Sequence, residues 1–241
     1  MDFLIKGEKD NLMVQIGRKW RYLRDLPELS GEEGRKLLFR LGQSWPYMPF
    51  FSPEKKLSLP RFMAKVSPDI PPDFLIFFPG SFNPWHAGHR FCVEYCQEKM
   101  PDAHIMVVPD RNPWKEDTPT DCLWRRFFDI CTRLGDLTCS VYPGLWGTGK
   151  KNYTVDWLPL VRVKKKGLLM GEDSFLHLVK WKNAETLLLA LNMILVVYRR
   201  EKASDVRAMK KQLEERFDNL SIVLFDHNPH AGLSSSDIRD C

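Results

Sequence analysis

Over the last two thirds of this 241-residue chain, short apolar runs alternate with longer stretches of mixed character. The runs cover residues 74–78, 104–108, 138–142, 167–170, 193–198 and 221–225. None shows the strict alternation of a strand with one wet face, so each predicts a strand buried on both sides. The intervening stretches, about 87–99, 121–134, 153–164 and 204–217, predict amphipathic helices. Strands alternating with helices predict an α/β fold, a doubly wound parallel sheet with helices on both faces. In such folds ligands bind beyond the carboxyl ends of the strands. The longest apolar run, 187–198, is interrupted by Asn192. It falls well short of the ~20 residues of a membrane span and reads as a buried helix end passing into a strand.

Residues 1–72 have a different pattern. Val14, Ile16, Trp20, Leu23 and Leu26 form a loose helical stripe, which predicts a helix over about 11–26. A second helix is expected over 31–42, with Ser30 and Glu33 at the spacing of a capping box. Prolines from Pro46 to Pro72 then break any long element. The expected organisation is a helical appendage with a Pro-rich connector over 1–72, followed by one α/β domain over 73–241.

Composition narrows the class. Apolar residues make up 44% and charged residues 28%, which suits a folded chain rather than a disordered one. Lys and Arg total 36 against 31 acidic residues, a formal charge of +5. That excess suits an anionic ligand; its densest run, Lys164-Lys165-Lys166, reads as a solvated helix end rather than the concentrated basic face of a nucleic-acid binder, and no nucleic-acid partner is expected. The six cysteines are scattered without zinc-like spacing and read as reduced thiols of a cytoplasmic protein, with no metal site of their own. No apolar run of signal-peptide length stands near Met1, and no membrane association is expected.

The densest chemistry follows the first strand of the α/β region: Gly80-Ser81-Phe82-Asn83-Pro84-Trp85-His86-Ala87-Gly88-His89. Gly80 and Pro84 shape a tight turn, and His86 and His89 open the next helix on one face. Backbone amides at a turn and at a helix N-terminus point toward an anion. Histidines in the first turn can donate hydrogen bonds to phosphate oxygens. The segment resembles the signature of the nucleotidyltransferase superfamily named for its His-x-Gly-His motif.

Further segments, in order, resemble nicotinate-nucleotide adenylyltransferase. Asn152-Tyr153-Thr154-Val155-Asp156-Trp157-Leu158 is similar to that family's Tyr-Thr segment. Gly171-Glu172-Asp173-Ser174 is similar to its Gly-x-Asp-Ser segment, and Lys180-Trp181 to its Lys-Trp pair. Leu233-Ser234-Ser235-Ser236-Asp237-Ile238-Arg239 is similar to its Ser-Ser-Thr-x-Ile-Arg motif. At Asn112-Pro113-Trp114-Lys115 the family has Pro-His-Lys, so Trp114 departs from the pattern while Lys115 keeps the cation.

The resemblance implies a Rossmann-like sheet and transfer of AMP from ATP onto a pyridine mononucleotide, with release of pyrophosphate. It implies His86, His89, Lys115 and Arg239 as the catalytic set. Gly80, Ser81, Phe82, Asn83, Gly88, Gly171, Asp173, Ser234 and Ser236 would bind ATP. Tyr153, Thr154 and Trp181 would hold the mononucleotide, and Mg2+ would accompany ATP. The nicotinate acceptor is preferred, with nicotinamide mononucleotide or another phosphorylated acceptor as the alternative. A degenerate relative that binds or senses the dinucleotide without catalysis is the non-enzymatic alternative. A homo-oligomer is compatible with the sequence.

Gly144-Leu145-Trp146-Gly147-Thr148-Gly149-Lys150 matches the start of a P-loop. Lys151 stands where a P-loop needs Ser or Thr for magnesium, so the match is set aside. These glycines are expected instead to form a mobile loop at the mouth of the substrate site.

Overall fold

The structure, a computed structural model, describes residues 4–7, 9–26, 29, 31–67, 69–111, 123–198, 202–225 and 229–230. The chain divides into two compact units, Met1–Pro71 with Val107–Asn152, and Pro72–Met106 with Tyr153–Cys241.

In the first unit, β1 (Ile5–Lys6), β2 (Met13–Ile16) and β3 (Lys19–Tyr22) form a small antiparallel sheet in that order. The expected helix over 11–26 is therefore overturned. Ile16 pairs with Lys19 across the two-residue turn Gly17-Arg18, and Gly17 sits at φ +59°. That turn geometry needs positive φ and suits the twist of a hairpin. The apolar stripe was a period-two pattern split by a turn: Val14 is fully buried while its neighbours Met13 and Gln15 are half-buried.

Helix α1 (Gly31–Gly42) forms where expected, burying Leu37, Leu38 and Leu41; Ser30 of the expected capping box lies outside the described residues. It packs on α3 (Leu123–Arg133) and on the short α4 (Gly144–Gly147). The N-terminal segment also supplies hydrogen-bond acceptors to buried groups of this unit. Trp124 Nε1 donates to the Leu26 carbonyl, and Tyr142 Oη donates to the Pro49 carbonyl at 2.7 Å. The Val141 amide donates to the Met63 carbonyl at 2.8 Å.

Gly144 and Gly147 bound the short helix α4, so the expectation of a mobile loop is corrected over Gly144–Gly147. All four residues are buried, and the glycines permit close backbone approach. A Cβ on Gly147 would stand 2.2 Å from the Phe39 nitrogen, and one on Gly42 would stand 2.4 Å from the Gly144 Cα.

The large sheet has six strands, in the order β6 (Cys139–Val141), β5 (His104–Pro109), β4 (Phe74–Gly80), β7 (Lys165–Gly171), β8 (Met193–Val197), β9 (Ser221–Phe225). The β4–β7, β7–β8 and β8–β9 pairings are parallel. This is the α/β sheet anticipated from the apolar runs, in the Rossmann-like arrangement that the resemblance implies. Leu75, Ile76, Phe77, Leu168, Leu169, Ile194, Leu195 and Val196 are all fully buried. Burial of each such side chain contributes about 1.5–3 kcal/mol, which is why these strands lack a polar face.

Helices α2 (Ala87–Lys99), α6 (Glu172–Leu176), α7 (Ala184–Leu189) and α8 (Ala203–Arg216) follow β4 and β7 and flank β8. The helix expected over 153–164 is cut short. Only α5 (Thr154–Trp157) forms, followed by a 3-10 turn over Leu158–Leu160. Pro159 lacks an N–H and its ring opposes the carbonyl of residue 155, so the helix cannot continue.

The strand order reverses direction at β4. The chain moves outward from β4 to β5 and β6, then returns to β7 on the other side of β4. The parallel ladder runs from Phe74–Lys165 to Phe77–Leu168, and the two strands end at Gly80 and Gly171. The carboxyl ends of β4 and β7 therefore flank the topological switch point, where ligands bind in open α/β sheets.

Candidate active site

Strand β4 ends in Gly80 and passes into Ser81–His86 before α2 begins. Gly80 is required by packing: a Cβ there would stand 2.9 Å from the Phe82 ring. Phe82 itself holds φ +42°, a left-handed conformation that costs a non-glycine residue free energy. The ring is buried at 3% exposure, 5.2 Å from Phe78, 5.0 Å from Trp85 and 5.0 Å from His89. Burial of this ring offsets the backbone strain. Phe82 thus reaches the site as a wall behind His89. The Asn83–Pro84 peptide is cis, and Ser81 and Asn83 are half-buried on the turn.

His86 is the N-cap of α2, with extended backbone, and its Nδ1 accepts the Gly88 amide at 3.1 Å. The His86 amide in turn donates to His89 Nδ1 at 3.4 Å. These two bonds form a histidine version of the capping box. The rings stack with centroids 3.7 Å apart and 27° between planes. An Nδ1 that accepts an N–H carries no proton, so each neutral ring carries its proton on Nε2. The pair therefore presents N–H donors, suited to phosphate oxygens rather than to a metal. Burial, with the charge of His230 added, holds His86 below its ordinary pKa and favours the neutral, stacked form.

Gly88 is part of the same device. A Cβ there would stand 3.1 Å from His86 Cε1 and Nδ1 and 3.5 Å from His230 Cβ. His230 also meets Phe91 of α2, with ring centroids 6.2 Å apart.

Across the switch point, Gly171 caps α6 and is exposed. Asp173, in the first turn of α6, is exposed and pairs with Lys202 at 2.7 Å. Tyr153 is the half-buried N-cap of α5, and Thr154 is buried at 8% exposure. Leu158 and Trp157 enter the core, Trp157 edge-on to Phe77 at 5.3 Å. Trp181 is half-buried at the end of a 3-10 turn over Leu178–Lys180. Lys115, Trp114, Ser234, Ser236 and Arg239 lie outside the described residues.

Three residues beside the predicted ones were not singled out from the sequence. Trp85 occupies the variable position of the motif, yet it is buried 5.3 Å from His89. Lys182 follows Trp181 and pairs with Asp156 at 2.8 Å. His230 had no spacing signal at all. Only Lys182 had a readable cue, its place beside a tryptophan in Lys-Trp-Lys.

Among the described residues no group of three or more His, Cys, Asp or Glu side chains could hold a metal ion. Cys92, Cys96, Cys131 and Cys139 are buried thiols, none in a disulfide. Among the same residues no helix is long and apolar enough to cross a membrane.

Residues 77–241 match the family model described as cytidylyltransferase-like. The chain belongs to the cytidylyltransferase-like family. That match begins within β4 and takes in the His86–His89 turn and the ends of β4 and β7. Two curated members to which this cytidylyltransferase-like chain is similar are named probable nicotinate-nucleotide adenylyltransferase. The one from Pelodictyon phaeoclathratiforme is 35% identical over 121 residues, covering 46% of this chain and 56% of the relative. The one from Fusobacterium nucleatum is 25% identical over 173 residues, covering 69% of this chain and 86% of the relative. Among solved structures, the chain is similar to Plasmodium falciparum nicotinic acid mononucleotide adenylyltransferase complexed with NaAD. The TM-score is 0.51 at 14% identity, over 70% of this chain and 83% of that one, a likeness of fold.

Proposed function

We propose that this protein is an adenylyltransferase that moves AMP from ATP onto a pyridine mononucleotide, nicotinate mononucleotide by preference, as a step in making the dinucleotide in the cytoplasm. The observation that carries this reading is the stacked His86–His89 pair at the start of α2, both of whose Nδ1 atoms accept backbone amides, which leaves the ring proton of each neutral imidazole on Nε2. The family membership and the names of the curated relatives support it.

The chemistry asks little covalent work of the protein. A phosphate oxygen of the mononucleotide attacks the α-phosphorus of ATP, a new P–O–P link forms, and the α–β bond breaks. Pyrophosphate leaves with the bonding electrons. The attacking phosphate is already ionised near neutral pH, so no general base is needed. Catalysis is positioning plus stabilisation of charge on the phosphoryl oxygens. His86 and His89 donate to the α- and β-phosphates. Gly80, Ser81, Asn83 and Gly88 bring backbone close to the triphosphate, with Phe82 behind them. Gly171 and Asp173 receive the adenosine ribose, and Tyr153, Thr154 and Trp181 hold the pyridine ring. Lys115, Ser234, Ser236 and Arg239 grip the leaving pyrophosphate.

A Mg2+ ion brought in with ATP would supply charge neutralisation on the triphosphate, with His86 and His89 contacting the phosphates directly. The N–H donors of the histidine pair fit a phosphate carrying its own metal. With this reading goes a division of labour near residue 72, with 73–241 carrying the transfer and 1–72 supporting it.

The test is to incubate the protein with ATP, Mg2+ and a panel of mononucleotides and to measure pyrophosphate. Release that depends on a pyridine mononucleotide is expected, and His89→Ala should cut turnover at least ~100-fold with the fold retained. Near-normal release by that variant would remove His89 from the mechanism. Dinucleotide binding without any release would favour a sensor.

A further inference from the structure

We propose that Lys182 selects the acceptor, admitting a pyridine ring that carries a carboxylate in preference to one that carries a carboxamide. This rests on the reading above, in which Tyr153 and Trp181 hold that ring. Lys182 joins the two segments. Its ammonium lies 4.7 Å from the centroid of the Tyr153 ring and 2.8 and 3.2 Å from the two carboxylate oxygens of Asp156. Its backbone directly follows Trp181.

The lysine is held from both sides of its own backbone. The Trp181 amide donates to the Leu178 carbonyl at 3.0 Å, and the Ala184 amide donates to the Trp181 carbonyl at 3.2 Å. Asn183, between them, takes a left-handed φ of +48°. The chain turns sharply there, so the Lys182 side chain reaches toward α5 rather than along α7, and α5 packs against α7. This is a fixed base carrying a flexible arm with three donors.

The arm is not locked to its partner. The Lys182 and Asp156 side chains are 45% and 49% exposed. Ion pairs this exposed contribute little to stability and exchange readily. A ring carboxylate arriving against Tyr153 would find a cation already desolvated on one side by an aromatic face. It can share that cation with Asp156 or displace Asp156 from it. A carboxamide is neutral and offers only an ordinary hydrogen bond, whereas a carboxylate makes a charge-assisted one about twice as strong. Asp156 works against that choice, because it competes for the same cation. Without Lys182, its carboxylate would repel the substrate's own.

The experiment compares kcat and KM for nicotinate and nicotinamide mononucleotide in the full chain and in Lys182→Met, Lys182→Arg and Asp156→Asn. The wild type should prefer nicotinate. Lys182→Met should reduce that preference about 10-fold, through the KM for nicotinate mononucleotide, with kcat for nicotinamide mononucleotide nearly unchanged. Lys182→Arg should restore most of it. Asp156→Asn should lower the KM for nicotinate mononucleotide by freeing the cation. A loss of kcat shared equally by both acceptors would mark Lys182 as merely structural and overturn the inference. So would an unchanged ratio in Lys182→Met. If the wild type transfers AMP to neither acceptor, the functional reading itself falls. If it transfers to nicotinate and the ratio ignores residue 182, only this inference falls.

Discussion

At the scale of single residues, the proposed site depends on one small residue beside the histidines. Gly88 leaves room for the His86 ring whose Nδ1 its own amide holds. An added methyl 3.1 Å from that ring must push it by a few tenths of an ångström. The stacked pair would shift with it, since the centroids are only 3.7 Å apart. Gly88→Ala is expected to lower kcat roughly 10-fold with little change in thermal stability, because misplaced donors lose transition-state stabilisation faster than the fold loses packing. A steady-state assay beside a melting curve checks this, and an unchanged kcat would show that the ring tolerates displacement. His104, at the start of β5, makes a different prediction. Burial holds its pKa down at about 4, against an ordinary value near 6.5. In the window between, the unfolded chain binds the proton and the folded chain does not. The stability from keeping His104 neutral is therefore complete above pH 6.5 and is lost as pH falls toward 4, by up to about 3 kcal/mol. Denaturant titrations across that window should show a shallower acid loss in His104→Gln than in the parent.

Among the elements, α1 and α4 meet through glycine rather than through side chains. A Cβ at Gly147 would stand 2.2 Å from a backbone nitrogen of α1, which no rotamer change can relieve. Gly147→Ala should therefore force the two helices apart and cost about 3 kcal/mol, lowering the midpoint of thermal unfolding by ~6–12 °C. A change of under ~2 °C would mean that α4 is free to move. This contact also shows where sequence reading runs out. The strands of the large sheet were legible because burial on both faces leaves an uninterrupted apolar run, as at Leu75–Phe77 and Ile194–Val196. Helices α2 and α8 were legible for the complementary reason, a long stretch with a mixed face. The β2–β3 hairpin was not, because four-residue strands around Gly17-Arg18 put apolar residues at spacings that a helix also allows. Nor was the use of Gly42, Gly144 and Gly147, since a glycine that permits close approach looks in sequence like one that loosens a loop. The site divides the same way. His86 and His89 were predicted because they stand inside a local motif, and the structure brings their rings together. His230 owes its position to packing between segments that the one-dimensional spacing does not encode, Lys182 had only its place beside Trp181 as a cue, and Trp85 stands inside the motif at its variable position.

On the scale of the whole molecule, the described residues assigned to the transfer all belong to the unit formed by Pro72–Met106 and Tyr153–Cys241. The family match likewise begins only at residue 77. Residues 1–71 nevertheless belong structurally with Val107–Asn152. Their removal would strip the Leu26 carbonyl from Trp124 Nε1, the Pro49 carbonyl from Tyr142 Oη and the Met63 carbonyl from the Val141 amide. Trp124, Phe127, Tyr142 and Leu145 are fully buried in the intact chain, and α1, which packs against α3 and α4, would be gone. Each buried donor left unpaired costs about 1–3 kcal/mol, and the bared aromatic surface adds an aggregation hazard. Together these losses are comparable with the whole stability of an ordinary domain, about 5–15 kcal/mol. A chain of residues 72–241 is therefore expected to be recovered mainly in the insoluble fraction, although it retains His86, His89, Asp173, Tyr153 and Trp181. The measurement is the soluble yield and the thermal transition of the truncated chain beside the full one. A soluble product that melts within a few degrees of the parent would show that the N-terminal segment is dispensable to the fold. It would also recast that segment as a module added to a self-sufficient nucleotidyltransferase.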